Sequence, residues 1–322
     1  MMKAMKLSPA FKDYIWGGTK LRDEFGKQCD LSKVAESWEL SCHKDGDSVI
    51  DSGEYKGMTL AQFVEKAGKS VLGTDCEKFE NFPILIKLID AKDNLSVQVH
   101  PDNEYALRVE GEYGKTEMWY VVDCEPGASL LYGFTHEISK EEFKERIEKN
   151  TLLEVTNRVE VHPGDVFFIE ARTLHAIGKG ILIAEIQQNS NTTYRVYDYG
   201  RIGADGKPRQ LHVEKAMDVT RLAPPSRPAG KPQGEKEAFD GYTSVLLASC
   251  EYFTVHEMEI AEKAALCADE RSFHSLLVLD GSLTLEMDGE GMALKKGDSV
   301  FIPAGAGDYV LKGKAKLVHT RV

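Results

Sequence analysis

The sequence predicts a mainly β protein that contains two β barrels of similar plan. Short runs of alternating apolar and polar residues recur along the chain, and a period of two is typical of strands. Residues 163–169 (PGDVFFI) resemble residues 296–302 (KGDSVFI), and a proline-rich stretch lies between the two copies. The similarity indicates a duplication of one β unit, because only two copies are present.

The first third of the chain predicts short strands and one covering helix. Residues 1–57 read as extended segments and turns, with a turn signal at Trp16 and its two following glycines. Residues 38–41 (WELS) predict a strand, and we interpret both features as edge packing of a β domain. A helix is expected to begin at Thr59, because Gln62 completes a capping box three residues later.

The next predicted strand, residues 83–89 (PILIKLI), is apolar except for Lys87. Burial of an ammonium group is unfavourable unless the group finds a partner. Lys87 therefore either extends from the sheet edge towards solvent or points into a polar cavity beside His100, and the sequence leaves both possibilities open.

A candidate metal site follows from residues on or beside three predicted strands. Residues 95–100 (LSVQVH) alternate, so Gln98 and His100 share one face. Glu117 begins a second strand and His175 follows a third. Two imidazoles and one carboxylate suit a divalent transition metal with positions left open for substrate. Each of these residues alone is also consistent with an ordinary polar position.

Other polar residues are predicted near this set. Lys115 lies two residues before Glu117 and shares its face in an extended chain, although a solvated surface lysine is the alternative. Glu185 and Gln187 lie on one face of another predicted strand. Arg195, in the strand that follows, could clamp a phosphate or stabilise charge on an oxygen, or form a surface ion pair.

The chain divides into three predicted units. These are a metal-binding catalytic domain over residues 1–222, a linker over residues 223–239 and a degenerate C-terminal β domain over residues 240–322. The linker is predicted from prolines that lie among glycines and lysines. A short helical insertion at about 136–157 begins with a capping-box motif at Ser139.

The duplication aligns the candidate ligands with residues of the C-terminal copy. Ten residues after the aspartate of each Gly-Asp pair lie His175 in the first copy and Asp308 in the second. A second sequence similarity, between YVVD at 120–123 and LVLD at 277–280, aligns His274 with Glu117. The ligand set is therefore intact only in the first copy.

Composition narrows the possible partners. The 322 residues are enough for two domains, and the net charge of −12 argues against nucleic acid. No apolar run approaches the ~20 residues of a membrane helix, and the start lacks the apolar core of a signal peptide. The six cysteines form no CxxC pair, which predicts reduced thiols in the cytoplasm.

Four motifs closely resemble those of the type I mannose-6-phosphate isomerases. They are SVQVHP at 96–101, GKTEMW at 114–119, HAIG at 175–178 and YRVYD at 194–198. The resemblance is nearest to the short, Bacillus-like form and extends over almost the whole chain. The paired QVHP and KTEMWY motifs are highly specific, whereas the spacing from Gly-Asp to His would indicate only a cupin.

The resemblance implies two cupin (jelly-roll) β barrels and one Zn²⁺ per chain. The implied metal ligands are His100, Glu117 and His175. Arg195 matches the active-site arginine of the family, and Lys87 and Lys115 match lysines of its substrate pocket. Gln98 matches a fourth ligand of the longer relatives. The helical insertion is far shorter than in the long forms.

The implied activity is the interconversion of mannose 6-phosphate and fructose 6-phosphate by metal-assisted proton transfer between C1 and C2. The predicted catalytic residues are Arg195 and Lys115, and the predicted substrate-binding residues are Lys87, Gln98, Glu185 and Asp198. The general base is left open among Glu185, Asp198 and a lysine with a lowered pKa. The expected partner is a phosphosugar, without nucleic acid or membrane, and the chain is expected to be a monomer or homodimer.

Two rival interpretations use the same residues. Two histidines and one carboxylate can also hold Fe(II) in an oxygenase, which metal analysis and an oxygen-consumption assay would identify. A cupin that senses a phosphosugar without converting it would likewise use Lys115 and Arg195. Conversion of mannose 6-phosphate to fructose 6-phosphate separates an isomerase from both.

Overall fold

The computed structural model describes residues 2–203 and 206–322. In this part of the chain the helices are α1 (Lys20–Asp23), α2 (Leu60–Ala67), α3 (Asn103–Val109), α4 (Lys140–Glu148) and α5 (Val213–Val219). Short 3-10 turns lie at Lys69–Leu72, Thr74–Cys76 and Leu152–Glu154.

Strands make up most of the regular structure. In the front part of the chain they are β1 (Met5–Ser8), β2 (Ala10–Lys12), β3 (Glu36–Leu40), β4 (Cys42–His43), β5 (Gly46–Asp47), β6 (Val49–Ile50), β7 (Ile84–Ala91), β8 (Val97–Val99), β9 (Glu117–Cys124), β10 (Ser129–Phe134), β11 (Thr156–Glu160), β12 (Val166–Ile169), β13 (His175–Ala176), β14 (Ile181–Gln188) and β15 (Tyr194–Tyr197). Towards the C-terminus they are β16 (Lys236–Phe239), β17 (Tyr242–Ser249), β18 (Thr254–Ile260), β19 (Lys263–Ala268), β20 (His274–Met287), β21 (Glu290–Lys295), β22 (Ser299–Ile302) and β23 (Gly307–Arg321).

Antiparallel pairing joins these strands into three large sheets and the small β4–β5 ribbon. The six-stranded sheet has the order β12-β9-β14-β7-β3-β2, and the five-stranded sheet has the order β11-β10-β13-β8-β15. The ten-stranded sheet runs β16-β17-β18-β23-β20-β22-β1-β6, with β19 beside β23 and β21 beside β20. The prediction of a mainly β protein is confirmed. The two separate barrels are not confirmed, because no sheet closes on itself within the described residues.

The six-stranded sheet is the middle layer of the molecule. Ile84, Ile86 and Leu88 of β7 pack in one hydrophobic cluster with strands of the ten-stranded sheet. The alternate residue Ile89 packs instead with Leu130 of the five-stranded sheet. Since side chains alternate along a strand, Lys87 faces the same side as Ile89. A cavity between the six-stranded and five-stranded sheets is therefore lined by side chains from buried strands.

Helices cover the outer face of the five-stranded sheet. Val97 and Val99 of β8 pack with Phe143 of α4 and Ala216 of α5. The predicted insertion at 136–157 thus contains α4 and the turn Leu152–Glu154, as the sequence indicated. The inward face of β8 is left for the polar residues that alternate with the valines.

Both predicted N-caps are present. Thr59 and Gln62 form the full reciprocal capping box of α2. Ser139 accepts a hydrogen bond from the Glu142 backbone N–H at the start of α4, but the Glu142 carboxylate pairs with Arg146 instead of closing the box. An i,i+4 ion pair therefore replaces the second half of that predicted motif.

Replacement of Thr59 with alanine tests the α2 cap. The variant loses the side-chain acceptor for the Gln62 N–H, so we expect the free energy of unfolding to fall by about 1 kcal/mol. Urea denaturation of the wild type and the variant measures this difference. Thr59→Ser keeps a hydroxyl acceptor and should remain close to the wild type; equal loss in both variants would contradict the capping explanation.

The N-terminal segment crosses between the predicted units. Strand β1 pairs with β22, and Met5 lies opposite Phe301 in the ten-stranded sheet. Strand β16 lies inside the stretch 223–239 that was predicted as a linker. The functional division of the chain at these points stays a prediction.

None of the described helices combines the length and the apolar character that crossing a bilayer requires.

Candidate active site

The three candidate metal ligands converge between the six-stranded and five-stranded sheets. His100 directly follows β8, His175 begins β13, and Glu117 begins β9 in the facing sheet. All three side chains are buried, and their ligand atoms lie within 4.8 Å of one another. The structure thus brings together the three residues that the sequence predicted as ligands.

Backbone carbonyls orient the two imidazole rings. His100 Nδ1 lies 2.9 Å from the Thr192 oxygen, and His175 Nδ1 lies 2.8 Å from the Thr173 oxygen. A carbonyl only accepts, so each Nδ1 carries the hydrogen and each Nε2 presents a lone pair. The two Nε2 atoms are 3.1 Å apart. Two lone pairs this close repel each other, and a metal ion bound by both would relieve that repulsion.

Burial keeps both rings in the form that binds metal. Burial and the charge of Lys115 hold the pKa of His100 well below its ordinary value. Burial lowers the pKa of His175 to about 4, against the opposing effect of the Thr173 carbonyl. Both imidazoles are therefore neutral at neutral pH, and neutral imidazole is the coordinating form.

Glu117 completes the set with an unsatisfied oxygen. Its Oε2 accepts a hydrogen bond from Lys115 Nζ. Its Oε1 is buried without a hydrogen-bond partner among the described residues and lies 3.5 Å from His175 Nε2. Burial, followed by the charge of Glu185, raises the pKa of Glu117 to about 8 despite the opposing charge of Lys115, so a further cation would favour its ionised form. These residues therefore fit a divalent metal ion.

Lys115 joins the ligand set to a second carboxylate. Its ammonium group lies 3.2 Å from His100 Nε2 and 3.6 Å from Glu185 Oε1. The residue is only 4% exposed, so the alternative of a solvated surface lysine is wrong. Lys115 is thus a buried cation placed directly beside the candidate metal ligands.

Lys87 lies in the same polar layer. Its Nζ is 3.4 Å from Glu36 Oε2 and 3.5 Å from Glu185 Oε1. The residue is 3% exposed, so it does not extend to solvent. Burial opposes its charge, but the carboxylates of Glu36, Glu185 and Glu117 together raise the pKa of Lys87. Lys87 is therefore an ammonium group at neutral pH.

The formal charges of this layer are nearly balanced. Three carboxylates, those of Glu36, Glu117 and Glu185, face the ammonium groups of Lys87 and Lys115. With neutral histidines and with Glu117 ionised by a bound divalent cation, the layer would carry one positive charge. The site would then attract an anionic substrate despite the net charge of −12 on the whole chain.

A cavity of about 240 Å³ opens beside the ligands. The predicted site residues that line it are Lys87, Gln98, Lys115, Glu185 and Arg195. Residues that the sequence did not place there also line it, namely Tyr14, Trp16, Glu36, Asn191 and Arg209. The cavity therefore combines carboxylates and ammonium groups with two guanidinium groups.

Gln98 links the ligand set to Arg195. In the five-stranded sheet it lies opposite His175 on one side and opposite Arg195 on the other. Its side-chain nitrogen is 3.4 Å from His175 Nε2. The amide is thus close to the candidate metal site and also faces the cavity.

Arg195 is held by its backbone surroundings and keeps one donor unused. Its Nη1 donates to the Gln210 oxygen at 2.9 Å. Its Nε is buried and has no partner within residues 2–203 and 206–322. Burial and the charge of Arg209 lower the pKa of Arg195, although a guanidinium remains charged at neutral pH. A substrate oxygen could satisfy the free donor.

Asp198 is not brought to the cavity wall. Its carboxylate accepts hydrogen bonds from Arg209 at 2.7 and 2.5 Å and also pairs with Arg201. Burial opposes its charge, but Arg209 and Arg201 hold the pKa of Asp198 below its ordinary value. Asp198 therefore orients Arg209, which does line the cavity.

Glu36 is a cavity residue that the sequence did not predict, and its strand does not lie at a sheet edge. We interpreted the Trp38 segment as edge packing, but β3 lies between β7 and β2 and Trp38 is fully buried. Trp38 Nε1 donates to Glu36 Oε2 at 2.7 Å, and Lys87 lies over the Trp38 ring. Trp16 likewise lines the cavity. The available sequence signal for Glu36 was its position two residues before Trp38, which places the two side chains on one face of a strand.

Comparison with known proteins identifies the family. Residues 4–122 match the family described as "Phosphomannose isomerase type I, catalytic domain", and residues 243–322 match "Mannose-6-phosphate isomerase, cupin domain". The chain is 40% identical to Mannose-6-phosphate isomerase ManA of Bacillus subtilis over 96% of both chains. It is 37% identical to the Mannose-6-phosphate isomerase of Streptococcus mutans over 99% of this chain and 98% of that relative.

A solved structure has the same overall arrangement. The crystal structure of the Mannose 6-Phosphate Isomerase from Bacillus subtilis matches with a TM-score of 0.92 at 37% identity. The match covers 99% of this chain and 100% of the other. A structure from Salmonella typhimurium, at 18% identity and a TM-score of 0.78, shares the fold. The chain therefore belongs to the type I mannose-6-phosphate isomerase family and is an isomerase with a cupin domain.

Proposed function

We propose that the protein interconverts mannose 6-phosphate and fructose 6-phosphate with the help of one Zn²⁺ per chain. The observation that carries the proposal is the buried pair of facing Nε2 atoms beside the unsatisfied Glu117 oxygen. The 40% identity to ManA of Bacillus subtilis supports the choice of substrate. Zinc suits two imidazoles and one carboxylate, with a position left for substrate.

The proposed zinc ligands are the Nε2 atoms of His100 and His175 and the Glu117 carboxylate. When bound, the metal ion acts as a Lewis acid that polarises oxygen atoms of an open-chain sugar. Gln98 contributes an amide beside these ligands and contacts the substrate. The oriented Nδ1–H groups fix the rings in advance, so metal binding requires little reorganisation.

The two arginines and two lysines receive the anionic substrate. Arg195 offers its unsatisfied Nε–H to an oxygen on which negative charge develops. Arg209, held by Asp198, presents a guanidinium for the phosphate group. Lys115 donates to a sugar oxygen close to the metal ligands, and Lys87 adds a positive charge on the same wall.

Isomerisation also requires a group that carries a proton between C1 and C2. Among the candidates, Asp198 is engaged by two arginines and Lys87 is an ammonium group. Glu185 lines the cavity and has a buried Oε1 without a hydrogen-bond partner in the described part of the chain. Burial opposes its charge, but Lys115 and Lys87 hold the pKa of Glu185 below its ordinary value. The Glu185 carboxylate is therefore ionised and has an oxygen available, and we infer that it accepts the proton.

The remaining parts of the proposal concern the whole chain. Residues 1–222 form the catalytic unit, and residues 240–322 form a degenerate cupin domain of the same plan. We propose that the protein works in the cytoplasm, which the unpaired cysteines support. We also propose that it is a monomer or homodimer.

Metal removal and reconstitution test the proposed reaction. Protein stripped with a chelator should lose the conversion of mannose 6-phosphate to fructose 6-phosphate, and one equivalent of Zn²⁺ should restore it. Fructose 6-phosphate is measured by a coupled assay, and bound metal by elemental analysis. Equal turnover by stripped and reconstituted protein would reject the metal, and no conversion with either Zn²⁺ or Fe²⁺ would reject the proposed reaction.

A further inference from the structure

A second polar cavity, of about 270 Å³, lies in the C-terminal part of the chain. Three histidines line it, His256, His274 and His319, together with Arg321. The histidines belong to β18, β20 and β23 of the ten-stranded sheet. None of these residues takes part in the proposed isomerisation, so the cavity needs a separate explanation.

Strand pairing shows that this cavity is the counterpart of the active site. Glu117 lies opposite Ile169 where β9 meets β12, and His274 lies opposite Ile302 where β20 meets β22. These equivalent pairings agree with the sequence similarity that aligned His274 with Glu117. The duplicated unit thus carries an imidazole at the position of the Glu117 carboxylate.

The next two strands continue the correspondence. In the active-site sheet, Glu185 of β14 lies opposite Trp119 on one side and opposite Lys87 on the other. In the C-terminal sheet, His319 of β23 lies opposite Leu276 and His256 in the same way. His319 therefore stands at the position of Glu185, and His256 stands at the position of Lys87.

The substitutions change the chemistry of the cavity. Buried carboxylates and a lysine are replaced by three imidazoles, so the fixed negative charges of the active site are lost. His274 Nδ1 is 2.8 Å from the Tyr309 hydroxyl. His319 is 8% exposed, and its buried Nε2 has no hydrogen-bond partner among the described residues. A buried polar atom of this kind is expected to meet a ligand or water.

The three imidazoles do not converge as metal ligands. Within the described residues, only His100, Glu117 and His175 bring three such ligand atoms close together. The positive charge of Arg321 also disfavours a cation. It acts on all three histidines, since it lowers the pKa of each after the larger effect of burial and, for His319, after the effects of His274 and His256. The guanidinium of Arg321 instead suits an anion.

The acidic residues that line this cavity, Asp75 and Asp269, are both solvent-exposed. Asp269 accepts from Arg271 at 3.2 Å, and Asp75 is solvent-exposed. Exposed charges are screened by salt more strongly than buried ones. Phe239 and Tyr242 also line the cavity, and their rings stack with centroids 4.7 Å apart. The cavity lining therefore offers N–H donors from Arg321 and the histidines, and an aromatic surface from Phe239 and Tyr242.

We propose that this second cavity binds the phosphate group of a small phosphorylated sugar, which it does not convert. The phosphate lies against Arg321 and the three histidines, and the carbon skeleton packs against the stacked aromatic pair. Inorganic phosphate shares the recognised group and would bind the same residues. The C-terminal unit is thus a binding site derived from the same plan as the active site.

Isothermal titration calorimetry of the metal-loaded full chain tests this proposal. The probes are a hexitol 6-phosphate, which has no carbonyl group to isomerise, and inorganic phosphate. We expect two binding events per chain for the hexitol phosphate. Arg321→Gln should weaken one of them by about tenfold or more and leave the isomerase rate unchanged. Lys312→Gln removes a positive charge from the same strand outside the cavity and should keep both events.

The outcomes separate the possible explanations. If inorganic phosphate competes for the binding event that Arg321→Gln weakens, a phosphate site is supported. If it competes more weakly than the hexitol phosphate does, the sugar also contributes to binding. His256→Gln, measured in the same way, provides a second variant in case Arg321→Gln fails to fold. Binding that neither variant changes would overturn the proposal, as would a second Zn²⁺ per chain that His256→Gln removes. Arg195→Ala affects only the first event, so failure of the isomerase assignment stays distinguishable.

Discussion

The His100→Ala variant is expected to lose its bound metal and nearly all isomerase activity. The substitution removes one of the two facing Nε2 atoms that we propose as metal ligands, and it leaves the Thr192 carbonyl without its donor. A Lewis acid contributes several kcal/mol of charge stabilisation, so we expect kcat to fall by about 10³-fold or more. Coupled assay of fructose 6-phosphate and elemental analysis of the purified variant measure the two effects.

A histidine outside the site provides the matched control. His162 is in an exposed turn near Asp165, and His162→Ala should keep both metal and activity. Circular dichroism of both variants checks that the fold is retained. A folded His100→Ala protein that holds one Zn²⁺ and turns over like the wild type would show that the ligand assignment is wrong.

Arg195→Ala is expected to lower kcat by about 10²- to 10³-fold, the usual effect of removing one preorganised donor to a developing oxyanion. Metal content should remain at one per chain, because Arg195 contacts Gln210 and the cavity but none of the three ligands. Steady-state kinetics with mannose 6-phosphate, together with metal analysis, tests this separation of catalysis from metal binding.

Two further variants sharpen the Arg195 result. Arg195→Lys keeps a positive charge but lacks the planar set of donors, so it should recover only part of the lost rate. Arg209→Ala should mainly raise KM, because we assign this guanidinium to the phosphate. If Arg195→Ala instead kept full kcat, a catalytic role for this residue would be discarded.

The local features of the site could be predicted because they depend on short-range patterns. Alternation along residues 95–100 correctly placed Gln98 and His100 on one face, although the observed strand is shorter than predicted and ends at Val99, two residues before Pro101. Strand pairing then fixed which ligands meet. Glu117 begins β9 within the motif GKTEMW, and His175 begins β13 within the motif HAIG. Both residues could therefore be identified before their distance was known.

Long-range features could not be predicted in the same way. Glu36 reaches Lys87 only because β3 pairs with β7, and nothing near Glu36 in the chain reveals that pairing.

Two features of shorter range were also not predicted. Asp198 was expected to contact substrate, but Arg201 and Arg209, only three and eleven residues away, engage it. Helices α3 and α5 were missed because each has only seven residues, too few for a clear period of 3.6.

Strand β1 has a consequence for synthesis of the protein in the cell. Its partner Phe301 is translated after almost the entire chain, so the edge formed by Met5 stays open for about 15 to 60 s at ordinary ribosomal speeds. An unpaired apolar edge is prone to association during this interval. Holdase chaperones that recognise extended segments should therefore engage nascent β1 until β22 emerges.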